Sequence, residues 1–306
     1  MASTSTTTDA FAGPEDFIEL IAHEVYVDLE RLRFLSFHGV PDELRGMVWH
    51  LLLPSMGHHT AMSLRRLSIQ KFTRPADPNF SKLIRDAIDN YCPEEELFRR
   101  VGVRERIEKI LTQYYANHPD SFARRNPKLL VSLIGPFVYT FGKQKAGCEQ
   151  SWFKFMQMLE YHNEPHVKQR HFSRFMTLFR TYLPQLSSRF DEEEMEPRRW
   201  VADFHRGLFA TQLSSNLPCL LRLWDSYFSV GEATSTHTTR GGGGVGGEEA
   251  GFELHIYVCL AVLKLYEGLL LDMNYPEIRG FLDRLELDAR DVPKILAQAN
   301  NFRLLE

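Results

Sequence analysis

Apolar residues recur every three or four positions along most of the chain, and no stretch alternates apolar and polar over the length of a strand. From Phe172 the steps run through Phe175, Met176, Phe179, Leu183 and Leu186, which places these side chains on one stripe of a helix. Lys168, Arg170, Arg174 and Arg180 fall on its other faces, where water can solvate them. A second stripe, Ile107, Ile110, Leu111 and Tyr114, predicts a helix over Arg104–Tyr115 that stops before Pro119. Ile18, Leu20, Ile21, Val25, Leu29 and Leu32 suggest an opening helix. The fold class that follows is all-α.

Two stretches interrupt the helical pattern. Glu232 to Gly251 contains Gly241-Gly242-Gly243-Gly244-Val245-Gly246-Gly247 and reads as a flexible insertion at about 232–251, because glycine is costly to order and nothing there can be buried. Residues 1–14 are rich in Ser and Thr and are expected to be disordered, which leaves 15–306 as the folded unit. The acidic run Asp191-Glu192-Glu193-Glu194 reads as a solvated connection between helices.

Composition narrows the classes of function. With 306 residues, 43% of them hydrophobic, the chain can build a sizeable core with two lobes. A formal charge of −4 supplies no cationic excess to displace counterions from a nucleic-acid backbone, so no nucleic-acid partner is expected. Cys92, Cys148, Cys219 and Cys259 lack metal-site spacing and read as small buried apolar residues. The first residues have neither the basic nor the apolar region of a signal peptide. Leu254 to Leu271 is strongly apolar but carries Lys264 and Glu267, so it reads as a core helix rather than a membrane span. A cytoplasmic location is expected, and Asn79-Phe80-Ser81, though a glycosylation sequon, would stay unmodified there.

Self-contained catalysis finds little support. His162 and His166 have the spacing of a zinc-binding helix, yet Pro165 between them breaks the geometry, and the pair reads as loop histidines. His58-His59 are adjacent and cannot share a helix face. The glycine run lacks the Lys-Ser/Thr of a phosphate loop, and no nucleophile elbow or dinucleotide fingerprint is present. Neither a metal nor a cofactor is expected.

Three ordered blocks carry more information. The first is Phe37-His38-Gly39-Val40-Pro41-Asp42-Glu43-Leu44-Arg45-Gly46-Met47-Val48-Trp49, with Leu44, Val48, Leu51 and Leu52 spaced for a buried helix face and Arg45 and Trp49 as i,i+4 neighbours. The second is Leu217-Pro218-Cys219-Leu220-Leu221-Arg222-Leu223-Trp224-Asp225, and the third is the apolar helix from Phe252 to Leu263. Together they resemble the TBC family of Rab GTPase-activating proteins: a Gly-Val-Pro turn followed by Arg and Trp, then Arg-Leu-Trp-Asp, then an apolar helix. Ile278 to Asn300 is similar to the family's closing segment, with Glu286 where proline is usual. The resemblance spans about residues 30 to 300 and implies a two-lobed helical domain that engages a Rab-family GTPase. It marks Arg45, Trp49, Asp86, Trp224 and Asp225 as motif or GTPase-binding positions.

The resemblance also implies two catalytic fingers supplied to the GTPase. An arginine in an Ile-x-x-Asp-x-x-Arg motif neutralises phosphoryl charge, and a glutamine in a Tyr-x-Gln-Gly motif orients water. If Asp86 matches the motif aspartate, the arginine position is Asp89. Counting back from Pro136 puts the glutamine at about Lys128, and no Tyr-x-Gln-Gly occurs in the chain. An arginine finger is worth roughly 10³–10⁵ in rate, so its loss implies weak or absent GTPase activation. Arg85, i−4 to Asp89 and about 6 Å away on a helix, is the substitute to test. Lys128 could supply charge, but an ammonium has no acceptor with which to orient water. Three roles are then open: a Rab-binding adaptor or complex subunit in membrane traffic, reaching endomembranes only through partners; an activating protein with displaced groups; or a helical scaffold without a GTPase.

Overall fold

The computed structural model describes residues 13–22, 27–53, 78–142, 145–230 and 252–306, and every regular element in them is helical. In chain order these are α1 (Pro14–Ile21), α2 (Leu29–Phe37), α3 (Asp42–Leu52), α4 (Pro78–Asp89), α5 (Glu96–Arg99), α6 (Val101–Asn117), α7 (Pro127–Phe141) and α8 (Lys145–His162). They continue as α9 (Pro165–Tyr182), α10 (Pro184–Glu192), α11 (Pro197–Arg206), α12 (Leu217–Ser229), α13 (Leu254–Leu265), α14 (Glu267–Leu271), α15 (Tyr275–Asp283) and α16 (Val292–Leu305). The glycine-rich segment, His58-His59 and residues 1–12 lie outside the described residues.

Local chemistry sets many of the boundaries. Pro14, Pro127, Pro165, Pro184 and Pro197 each open a helix, where a missing N–H costs nothing and a fixed φ helps. Asp28 accepts from Arg31 N at 3.0 Å and Asn126 from Leu129 N at 3.0 Å, satisfying donors that the first turn leaves free. Asn274 and Glu277 form a reciprocal capping box at the start of α15.

The helices fall into two groups. α3, α4, α6, α7 and α8 pack on one another, as do α9, α10, α11, α13, α14, α15 and α16. α12 touches α2, α3, α7 and α16, and so joins the groups into one hydrophobic core. α7 is buried from Leu129 through Val138, and a Cβ on its Gly135 would stand 2.2 Å from the Tyr91 hydroxyl, so only glycine permits this approach. α13 is buried from Leu254 to Leu263 and ends at Leu265, with Tyr266 alone between it and Glu267 at the start of α14. No helix among the described residues is long and apolar enough to cross a membrane.

The structure changes three expectations. The stripe from Phe172 to Leu186 spans two helices, because Pro184 ends α9 and opens α10, although Leu183 and Leu186 remain buried. The opening stripe divides into α1 and α2. Arg174 is not simply solvated: it bonds Glu306 and Glu253 at 3.0 Å each and Tyr257 Oη at 2.7 Å, tying α9 to α13 and the chain's last residue.

Candidate functional site

Three of the motif residues, Arg45, Trp49 and Asp225, meet in one buried junction. The turn at Gly39-Val40-Pro41 feeds α3, which presents Arg45 and Trp49 one helical turn apart toward Asp225 on α12. The Asp225 carboxylate, 0% exposed, accepts from Val40 N at 3.0 Å, Trp49 Nε1 at 2.8 Å and Arg45 Nε at 3.1 Å. Arg45 also donates to Val40 O at 2.6 Å and pairs with Asp42 at the start of α3. Burial pushes the Asp225 carboxyl above its ordinary pKa, against the pull of Arg45 and the N–H donors. Burial also works against the Arg45 charge, yet Asp225 and Asp42 together hold its pKa above the usual value.

Arg222, one turn before Ser226 on α12, closes the junction from the other side. It donates to Phe37 O at 3.0 Å and to Ser226 Oγ at 2.7 Å, while Ser226 Oγ donates to Phe37 O at 2.9 Å. Gly39 takes a φ of +116°, and a Cβ there would lie 3.1 Å from Arg222 Nε, so both backbone and space call for glycine. Trp224 points elsewhere in the core, donating to Leu208 O at 3.1 Å and packing on Phe155 with centroids 4.8 Å apart. Arg45, Trp49, Trp224 and Asp225 are all buried, but it is Arg45, Trp49 and Asp225 that anchor the turn to α12.

The expected finger positions occupy a different setting. α4 buries Phe80, Ile84 and Ile88, worth roughly 2 kcal/mol each in transfer from water. Its other face carries Arg85, Asp86 and Asp89. Arg85, 61% exposed, reaches Glu108 on α6 at 3.3 Å and its own Ser81 O at 3.2 Å. Asp89, 55% exposed, reaches Arg104 on α6 at 3.0 Å. Arg104 is further steadied by Phe98 O at 3.0 Å. Asp86 is exposed, and its backbone carbonyl accepts from Asn90 Nδ2 at 2.7 Å. Lys128 is exposed in the first turn of α7, behind the Asn126 cap.

Arg104 and Glu108 were legible only as part of an amphipathic helix. Their i,i+4 spacing, with charges in the same order as Arg85 and Asp89, is the sequence signal that two antiparallel helices can pair in this way. Sequence reasoning also missed a buried histidine group. His162, read as a loop residue, ends α8 and lies 4.7 Å from His171 between ring centroids, whereas His166 stays outside against Glu164. His205, His255 and Cys259 bring ligand-type atoms within 4.8 Å of one another. His255 is already engaged there, with Nδ1 2.8 Å from Tyr227 Oη and Nε2 3.1 Å from Phe204 O, and burial holds the Cys259 thiol well above its usual pKa.

Comparison with known proteins agrees with this architecture. A family model described as the Rab-GTPase-TBC domain matches residues 42–271. The chain is 23% identical over 295 residues to TBC1 domain family member 12 of Xenopus tropicalis, covering 87% of this chain and 38% of that protein. It is 22% identical over 317 residues to the GTPase-activating protein gyp1 of Schizosaccharomyces pombe, covering 89% of this chain and 57% of that protein. The chain thus spans well under two thirds of the length of these relatives. In fold it resembles the crystal structure of the Ypt/Rab-GAP domain of Gyp1p, with a TM-score of 0.69 at 19% identity over 95% of this chain and 97% of that one. The Chlamydomonas flagellar RabGAP TBC domain gives a TM-score of 0.60 at 17% identity over 94% of this chain and 89% of that one. The turn, the Arg45–Asp225 junction and the helical order all fall within or beside the matched span, and the chain belongs to the Rab-GTPase-TBC domain family.

Proposed function

We propose that this domain binds a Rab-family GTPase and stimulates its hydrolysis weakly or not at all, acting as an adaptor or complex subunit in membrane traffic. The observation that carries this reading is the chemistry of α4. Counted from Asp86, the arginine position is Asp89, but that register puts Leu83, 53% exposed, in place of the motif isoleucine. Counted from Ile84, which is 0% exposed, the motif acid becomes Ala87 and the arginine becomes Asn90. Neither register supplies a guanidinium. A carboxylate at Asp89 would repel the phosphates an arginine stabilises, and Lys128 has no acceptor for water. Arg85, the nearby substitute, is held against Glu108.

In this reading the protein is cytoplasmic and reaches endomembranes through its partners. The test is a pull-down across a Rab panel in GDP-bound and GTP-analogue states, followed by single-turnover hydrolysis with each binder. Nucleotide-dependent binding with near-basal hydrolysis is expected. Robust stimulation would overturn the adaptor reading, and a lack of binding to every Rab would leave a scaffold without a GTPase.

A second reading rests on one distance. The Arg104 guanidinium lies 3.0 Å from Asp89 and is 38% exposed, so α6 brings to this end of α4 the group that α4 lacks. If hydrolysis is stimulated, Arg104→Ala should abolish the effect while Arg85→Ala leaves it unchanged. The reverse result would assign the role to Arg85.

A further inference from the structure

Away from α4 and α6, a cavity of about 290 Å³ opens between the end of α8, α9 and α11. Its lining divides by exposure. His162, His171 and His205 are buried, and Lys168 and Arg198 stand exposed at the mouth with half-buried Arg206 beside them. No carboxylate lines it. Phe172 and Val201 supply an apolar wall.

His205 is the unusual member. Its ring is buried, edge-on to Phe175 at 5.1 Å and to His255 at 5.2 Å, and neither ring nitrogen has a hydrogen-bond partner. A buried imidazole without partners forfeits hydrogen bonds that water would have given it, a cost the surrounding fold must offset. His162 differs, because it bonds the backbone of His205. Arg198 is oriented by Gln169 Oε1 at 3.2 Å and lies over the Phe172 ring, 5.2 Å from its centroid.

The sign of the ligand follows from the lining. Three cations without a counter-charge repel a metal ion and attract an anion. Lysine and arginine at the mouth make charge-assisted bonds to phosphate oxygens. Burial first, and then the positive charge that His255, His162 and His171 would add, keep His205 well below its usual pKa, so the ring lies behind the cavity without adding charge to it. The volume is at the lower end of ligand pockets, which suits a phosphate group with a short organic body against Phe172 and Val201.

We propose that this cavity binds a small phosphate monoester, with Lys168, Arg198 and Arg206 holding the phosphate and Phe172 and Val201 packing on its organic body. The site is independent of the GTPase reading. A phosphorylated metabolite and a lipid headgroup present the same chemistry, and the experiment separates them.

The full chain is titrated at constant ionic strength with inorganic phosphate and glucose 6-phosphate by calorimetry, and with zinc alone. Sedimentation with phosphatidylcholine vesicles, with and without phosphatidylinositol 4-phosphate, runs in parallel. Saturable binding of a free phosphate probe, weakened at least ~10-fold in Lys168→Gln/Arg206→Gln, is expected for a soluble ligand, since 1.4 kcal/mol is a factor of ten. Sedimentation that needs the phosphoinositide and is lost in the same variant assigns the lipid source. That variant changes partly or fully exposed side chains, so it tests the site without disturbing the core. No binding of any phosphate probe, binding unchanged in the double variant, or binding of zinc alone would each overturn the proposal.

Discussion

The junction around Asp225 and the face between α4 and α6 are both built from arginine–carboxylate pairs, yet they do opposite things. In the first, Asp225 is fully buried, takes N–H bonds from three residues and ties residues 40, 45 and 49 to 225. In the second, Arg85 and Asp89 are more than half exposed and each makes one ion pair with α6. A buried pair is costly to form and costlier to break, because the surviving partner is left charged without water. An exposed pair gains little and loses little. The architecture can therefore persist while the residues facing outward change, and the motif residues that best identify the family are those that say least about its chemistry.

The largest effect is expected at the junction. Asp225→Ala removes the buried counter-charge of Arg45, leaving it only the exposed Asp42, and strands the Val40 and Trp49 donors, and urea unfolding should reveal a loss of about 3–5 kcal/mol. A smaller effect tests buried polarity in another place. Burial holds His162 and His205 well below their usual pKa and His255 at about 3. Below about pH 6.5 the unfolded chain takes up protons that these folded histidines refuse, so stability is full above that pH and falls as pH drops toward the folded values. The loss at pH 5 should reach roughly 2 kcal/mol per histidine, measured by urea unfolding at pH 7 and pH 5. The smallest effect belongs to the exposed face: Asp89→Ala should change stability by under about 1 kcal/mol. A loss at Asp89 as large as that at Asp225 would erase the contrast between the two regions.

Much of the fold was legible in the sequence because helix periodicity is a local signal. The stripe Ile107, Ile110, Leu111 and Tyr114 is the buried face of α6, and the apolar run from Leu254 is the buried α13. Pairing across long separations was not legible. Nothing local ties Val40 to Asp225, or shows that Arg174 would find Glu306 132 residues away. The candidate site divides in the same way. The motif blocks could be read as blocks, whereas the partners of Arg85 and Asp89 come from another helix, and the grouping of His162, His171, His205 and His255 depends on how α8, α9, α11 and α13 pack. His162 and His166 looked like the related pair because they are close in sequence, and Pro165 at the start of α9 separates them.

The bond from Val40 N to Asp225 spans 185 residues, and that separation has a meaning on the ribosome. Translation runs at about 5–20 residues per second, so α3 emerges roughly 10–40 s before the carboxylate that completes its surroundings. During that interval Arg45 and Trp49 have no Asp225 to meet, and an apolar helix face must wait in a chain that cannot yet close. A protein wired in this way depends on whatever shields nascent helices as much as on the stability of the finished core.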